Sequence, residues 1–464
     1  MKQVIFLLFF CAFSLFGQEV KNITLLDHWY SDSLLTNTSQ VRFSSCWAFE
    51  QGGKEYGIIG STEGAHFFEL TNENRFRFID FIPGRFISSQ AITREYKHYK
   101  NYVYAICDEG PSSLQIIDVS YLPDSVHLVG DLRNELFGKA HNLFIDSTNA
   151  LLYLCQVRPV ISGIETSMVP FRVYSLFDPT NPILVWQSPS DIQDVHDLYV
   201  RDNIAILNCG YDGIRVYDFT NPNAPIYLNN LTVYQEQGYN HQGWLSPNGK
   251  TYVFADESSG MHIKKANFNS DYSIDIVSIF GRPNVPYNKT AHNIHCTDEF
   301  AFVSYYNDGF RIYDLRLNPP REIAAYDTYI DNSLTNNFSM WGAWGIHALL
   351  PSGRILTSDR NSGFYLFDFD RDFFLNPAID EIQIYPNPVL DNESFVLRMP
   401  YDRVNNFTYE MFDVNGKLLT SQTVNDQSYS EIKAPEVSGL YFLKVKYNDV
   451  FMNEITTIEK LLVE

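Results

Sequence analysis

Short apolar or alternating runs recur along most of the chain, each bounded by glycine, proline, asparagine or aspartate. Residues 102–106, 151–154 and 204–208 are three such runs. Turn dipeptides such as Asp212-Gly213, Asp308-Gly309 and Asn181-Pro182 separate them. Runs of this length with those boundaries read as β-strands and hairpins. Extended helical periodicity is absent, so the pattern predicts an all-β protein.

The runs are organised as repeats. Five segments open on histidine: His141-Asn142-Leu143-Phe144, His196-Asp197-Leu198-Tyr199, His241-Gln242-Gly243-Trp244, His292-Asn293-Ile294-His295 and His347-Ala348-Leu349-Leu350. They are spaced by 55, 45, 51 and 55 residues. A strand-like run follows each, then a turn, as at Tyr211-Asp212-Gly213, Asn307-Asp308-Gly309 and Asn361-Ser362-Gly363. A third run then closes on aspartate, at Asp218, Asp314 and Asp368. Two earlier segments, from Cys46-Trp47-Ala48-Phe49 and from Ala91-Ile92-Thr93, keep the pattern without the histidine. The third unit carries an insertion near residues 159–170, and the unit from His241 lacks the closing aspartate. Seven units of roughly 50 residues, about four strands each, fit a seven-bladed β-propeller, in which each blade buries its faces against its neighbours. Residues 23–32 are similar to the stretch after the sixth unit, 323–331. They are expected to supply the outer strand of the last blade and so cover a sheet edge.

After Phe374 the pattern changes. Leu375-Asn376-Pro377 reads as a linker, and alternating strands with an Asn415-Gly416 turn predict a small antiparallel β-sandwich over 375–464. Its motifs, in order, are Tyr385-Pro386-Asn387-Pro388, Asp413-Val414-Asn415-Gly416-Lys417, Ser438-Gly439-Leu440-Tyr441 and Lys460 close to the end. This order resembles the type A sorting domain of the type IX secretion system. The resemblance implies recognition by the secretion machinery, passage through the outer membrane, removal of the domain, and release or attachment at the surface. At the other end, Lys2 precedes an apolar run, 4–16, with Gly17 before Gln18. Residues 1–17 read as a signal peptide, too short for a stable span. No membrane-crossing segment is expected after its removal, so the predicted location is extracellular or on the outer cell surface.

The closing strands and their turns, such as Tyr174-Ser175-Leu176-Phe177-Asp178-Pro179 and Val216-Tyr217-Asp218-Phe219-Thr220-Asn221-Pro222, resemble the LVIVD-repeat family. The His-Gln-Gly-Trp-Leu segment at 241–245 is similar to the choice-of-anchor B group within it. That resemblance spans about 40–370 and implies a seven-bladed propeller over 18–374. It brings no established activity.

Charge and cysteine content narrow the partners. The net charge of −21 disfavours nucleic acid and anionic membrane. Cys11 lies in the leader. The other five, Cys46, Cys107, Cys155, Cys209 and Cys296, are odd in number and lack zinc-motif spacing, so they read as buried free thiols.

The histidines carry the candidate chemistry. If His141, His196, His241, His292 and His347 face the channel, they form a partial ring able to bind a ligand or a divalent metal, with Asp197, Asp256 and Glu257 as acidic partners. The cheaper reading is that each braces its blade by bonding to a turn acid, as the equal spacing of His196–Asp212 and His292–Asp308 suggests. Trp244, Trp341 and Trp344 either pack between blades or stack on sugars. No nucleophile elbow, phosphate loop or H-E-x-x-H motif occurs. The sequence therefore predicts an exported binding protein for a glycan, protein or small ligand. No catalytic residue or cofactor is assigned. The alternative is a metal-assisted hydrolase, lyase or oxidase.

Overall fold

The computed structural model describes residues 18–281, 289–329, 340–375, 382–400, 406–425, 427–448 and 454–464. The expected signal peptide lies outside them. The chain forms two units, the first ending at Asp370 and the second spanning Arg371–Glu464. Apart from a helical turn at Arg371–Leu375, the named elements are strands.

Seven antiparallel sheets make up the first unit. Their first strands are Phe43–Gln51, Arg94–Tyr99, Asn142–Asp146, Asp197–Arg201, Asn240–Leu245, Ile294–Cys296 and Ala343–His347. From its first strand outward each sheet runs in chain order, apart from short added strands in the third sheet and strands from the start of the chain on the outer edges of the sixth and seventh. Each first strand also lies against the first strand of the following sheet, and Ala343–His347 returns to Phe43–Gln51. The seven first strands therefore close a ring. In the second sheet the first strand starts at Arg94, just beyond the expected Ala91-Ile92-Thr93 segment. The expected insertion in the third unit is a prolongation of its second strand, Leu151–Ile161, which pairs with short strands at Gly138–Lys139 and Ile164–Glu165.

Apolar side chains fill the spaces between adjacent sheets, which is why the strands read as near-continuous hydrophobic runs. One cluster joins the first and seventh sheets through Phe43, Ile59 and Phe68 on one side and Leu356, Phe364 and Leu366 on the other. All five described cysteines are free and buried in such packing, as expected. Burial pushes the Cys46 thiol up to about 12 and the Cys107 thiol up to about 11. Both are therefore uncharged at neutral pH.

Ring closure uses the start of the chain. Thr24–Trp29 pairs with Gly363–Asp368 as the outer strand of the seventh sheet, from Thr24↔Asp368 to Trp29↔Phe364. Asp27 ties this strand to the first sheet, accepting the Phe76 amide at 2.7 Å and pairing with Arg75 at 3.2 Å. Three equivalent glycines confirm the placement. Gly213, Gly309 and Gly363 have φ of 80°, 76° and 107°. A Cβ there would strike the carbonyl oxygen of Leu231, Tyr326 and Trp29 respectively. Trp29 thus stands where the sheet's own outer strand stands in the other two. A second edge, not anticipated from sequence, is covered as well: Val20–Lys21 adds a fifth strand to the sixth sheet at Val20↔Tyr326.

The second unit has a three-stranded sheet (Gln383–Tyr385, Ser394–Arg398, Tyr429–Lys433) and a four-stranded one (Leu418–Asn425, Asn406–Phe412, Gly439–Asn448, Glu454–Val463). Phe395 and Leu397 of one share a core with Phe407, Tyr409, Leu443 and Leu461 of the other. The sequence motifs are its fastenings. Asn387 donates to the Lys460 carbonyl at 2.8 Å and accepts the Leu462 amide at 2.9 Å, pinning the Tyr385–Pro388 stretch to the last strand. Asp413 accepts the amides of Asn415 and Lys417, both at 2.9 Å, and Gly416 takes φ 77° to complete the turn. Tyr441 donates to the Val437 carbonyl at 2.6 Å, and its own strand opens at Gly439.

Candidate functional site

Four of the five predicted histidines meet on the inner strands of the ring. Ring centroids of His141 and His196 lie 4.2 Å apart, those of His196 and His241 4.2 Å, and those of His241 and His292 4.4 Å. Trp344 continues the series 4.1 Å from His292, and the Arg360 guanidinium covers its indole at 4.1 Å. Five consecutive sheets thus contribute one ring each to a continuous arc. At the other end, Asp108 Oδ2 lies 2.9 Å from His141 Nδ1.

His347 is not part of this arc. Asn240–Leu245 and Ala343–His347 both skip one residue in their pairing register, and the skipped residues are His241 and Trp344. Trp344 is therefore the counterpart of His241, and His347 is the counterpart of Trp244. The expected alignment of the seventh unit is three residues out. A longer first hairpin, through Pro351-Ser352-Gly353, restored the histidine-to-aspartate spacing and masked the shift.

Bracing by own-blade turn acids is also corrected. His196 Nδ1 donates to the His241 carbonyl at 3.2 Å, and His292 Nδ1 donates to the Trp344 carbonyl at 2.8 Å. Asp212 is exposed, while Asp308 pairs with Lys289 at 3.0 Å. His196 and His292 lean on the next sheet instead of their own turn acids, whereas His241 does have its own-sheet turn acid nearby, Glu257 at 3.7 Å. His241 leans in the same way on the His292 backbone, although its Nδ1 lacks a partner at hydrogen-bond distance. A carbonyl can only accept, so the bonded Nδ1 atoms carry the hydrogen and each Nε2 keeps its lone pair.

Acids and phenols surround the arc. Glu257 Oε2 is 3.7 Å from His241 Nε2, and its other oxygen accepts the Tyr306 hydroxyl. Among the described residues, His196, His241 and Glu257 form a group whose ligand atoms all lie within 4.8 Å of one another. Tyr239 donates to Asp194 at 2.7 Å beside His196. Burial, reinforced by neighbouring imidazoles, holds His196 and His292 well below the ordinary histidine value. Burial also lowers His241, against the pull of Glu257. His141 goes the other way. Burial disfavours its cation, but the bonded Asp108 carboxylate outweighs that and raises its pKa.

One step along the same strands, Ser45, Glu95, Asn142, Asp197, Gln242 and Asn293 line a cavity of about 20 Å³. That volume suits about one water. Burial pushes Asp197 up to about 7, against the opposing pull of Lys97. Asp197 therefore lines this cavity, accepting the Leu198 amide at 2.6 Å and meeting His141 through charge alone. Asp256 is likewise engaged elsewhere, 2.6 Å from Lys264 Nζ.

A second ring of large side chains follows. Lys97 Nζ sits 3.9 Å over Trp47, Trp47 meets His347 at 4.7 Å, and Trp244 meets His295 at 4.0 Å and Tyr199 at 5.0 Å. Tyr199, Arg201 and Trp244 face an adjoining hollow of about 510 Å³. Of the three tryptophans singled out from sequence, Trp344 is buried in the first arc, Trp244 is half-buried in the second, and Trp341 stacks on Tyr329 at 6.4 Å. Asp108, Arg360, Tyr306, His295 and Lys97 were not read as site residues. Only His295 left a trace, standing three residues after His292 as Trp244 stands after His241.

Comparison with known proteins bears on the second unit. Residues 383–464 match the family described as secretion system C-terminal sorting domain. The chain carries a type IX secretion sorting tail. Such a tail implies a relation to the secretion machinery and export to the cell surface. No helix among the described residues is long and apolar enough to cross a membrane. No curated protein matches the chain. Among solved structures, the extracellular domain of a putative one-component system from B. thetaiotaomicron is 12% identical, with 94% of this chain and 60% of that one covered and a TM-score of 0.45. This chain thus spans about 60% of that structure's length. A Lactobacillus plantarum protein is 11% identical over 80% of this chain and 95% of its own, with a TM-score of 0.47. The computationally designed Ika8 protein is 8% identical over 75% and 99%, with a TM-score of 0.45. Likeness of that degree assigns no ligand.

Proposed function

We propose that the chain is an exported seven-bladed β-propeller, of the LVIVD-repeat and choice-of-anchor B kind, that binds a ligand at the histidine end of its axis. The sorting tail supports export. Seven antiparallel sheets of four to six strands, with their first strands in a closed ring, support the propeller. The binding reading rests on one observation: four imidazoles and an indole from five consecutive sheets form an unbroken arc between Asp108 and Arg360. Packing alone would favour aliphatic side chains at these positions. With Nδ1 of His196 and of His292 committed to backbone carbonyls, their Nε2 lone pairs are left to accept from a polar occupant. Glycans, small polar molecules and extended protein segments all present suitable groups.

The test is a melting screen of the full chain against ions, glycans and small polar ligands. A ligand that raises Tm for the parent chain should lose that effect in H196A and H292A. A shift that survives both substitutions, or no shift across the screen, overturns the axial reading. The proximity of Glu257 to His241 favours one second reading, a metal-assisted enzyme. There E257Q would abolish turnover together with metal binding.

A further inference from the structure

We infer that His196, His241 and Glu257 form a binding site for one borderline divalent transition metal at the axis of the ring. This deepens the axial-binding reading and rests on it. Three observations carry it. The ligand atoms of the two histidines and the glutamate lie within 4.8 Å of one another. The ring of His196 is oriented by a hydrogen bond from Nδ1 to a backbone carbonyl, the arrangement that aims a coordinating Nε2. The His241 ring is 2% exposed, its Nδ1 has no hydrogen-bond partner, and its Nε2 is directed at the Glu257 carboxylate from 3.7 Å.

Two imidazole nitrogens and one carboxylate oxygen suit zinc, copper or nickel and exclude a preference for magnesium or calcium, which select oxygen. Three protein ligands leave a fourth position open toward the channel. Metal–ligand bonds of about 2.0–2.2 Å place tetrahedral ligands about 3.4 Å apart, so loading draws the three ligand atoms together from separations of up to 4.8 Å. Glu257 can take part in this adjustment. Its side chain keeps 12% of its exposure, and the Tyr306 hydroxyl that it accepts holds only one of its two oxygens. His292 and His141 flank the three ligands without joining them, and serve as walls of the site.

The probe is zinc, with cobalt as its visible reporter. The full chain, equilibrated with a small excess of zinc and dialysed against a weak chelator, should retain one zinc per chain. Cobalt in its place should give the visible absorption of a low-coordinate site with nitrogen ligands. Each of H196A, H241A and E257Q should weaken zinc by about tenfold or more. E257Q keeps an oxygen acceptor for Tyr306, so it remains informative if the histidine variants fail to fold. H347A, in the other layer, should retain zinc unchanged. Failure to retain zinc, or equal retention by the parent and E257Q, overturns the site. Absence of zinc alongside an organic ligand that needs His196 overturns the metal and spares the axial-binding reading. Absence of both overturns both.

Discussion

Two layers of side chains ring the same axis, three residues apart on the same strands, and their chemistry is opposite. In the first, histidines donate from Nδ1 to backbone carbonyls and stand beside the carboxylates of Asp108 and Glu257. In the second, His295 Nδ1 accepts the Ala348 amide at 3.4 Å, and the charged neighbour is the ammonium of Lys97, lying on Trp47. A carboxylate beside an unprotonated nitrogen invites a cation. An ammonium beside indoles and imidazoles already supplies one and leaves π-faces for a neutral partner. The same residue type, histidine, therefore has two meanings in this ring, and its surroundings decide which.

Removing the indoles one at a time tests the division most strongly. Trp344 is 6% exposed at the end of the first arc, so W344A should cost about 3–5 kcal/mol in urea unfolding. Half-buried Trp244, in the second layer, should cost about half as much on W244A. Equal losses would mean that the two layers pack alike.

Acid should act through the depressed histidines of both layers, and His347 gives the share that one substitution isolates. Burial, with Lys97 adding to it, depresses His347 from 6.5 to about 3. Below pH 6.5 the unfolded chain takes up a proton that the folded chain refuses, so stability is lost as pH falls toward about 3. The slope from this one group approaches about 1.4 kcal/mol per pH unit. H347Q should remove that share, visible as a shallower fall in urea midpoint between pH 6 and pH 4. An unchanged slope would show that His347 takes no part.

The smallest effect concerns Lys97. Replacing it by glutamine should cost about 1 kcal/mol through the lost contact with Trp47. It should leave zinc retention at the other layer unchanged. Loss of zinc in K97Q would merge the two layers into one site.

Much of the architecture was legible in the chain. Turn glycines at 213, 309 and 363 mark three repeats because only glycine tolerates both the positive φ and the carbonyl pressed against it. Similarity between 23–32 and 323–331 marked the strand that completes the seventh sheet. The sorting tail was legible because Asn387, Asp413, Gly416 and Tyr441 make local or fixed contacts that few other residues could make. The site was less legible. The repeat pointed to the histidines, yet spacing alone placed His347 among them and left out Trp344.

Sequence by itself therefore determined the strands, their grouping into seven units, the thiols' burial and the tail, since each follows from local patterning or a short fixed turn. Tertiary structure decided which side chains share a layer. Layer membership depends on a one-residue bulge at His241 and Trp344 and on hairpin length in the seventh unit, neither of which alters the hydrophobic pattern. It also decided the partners. Asp108, Glu257 and Arg360 reach the arc from turns and strand ends of three different sheets, and only ring closure brings them to one axis.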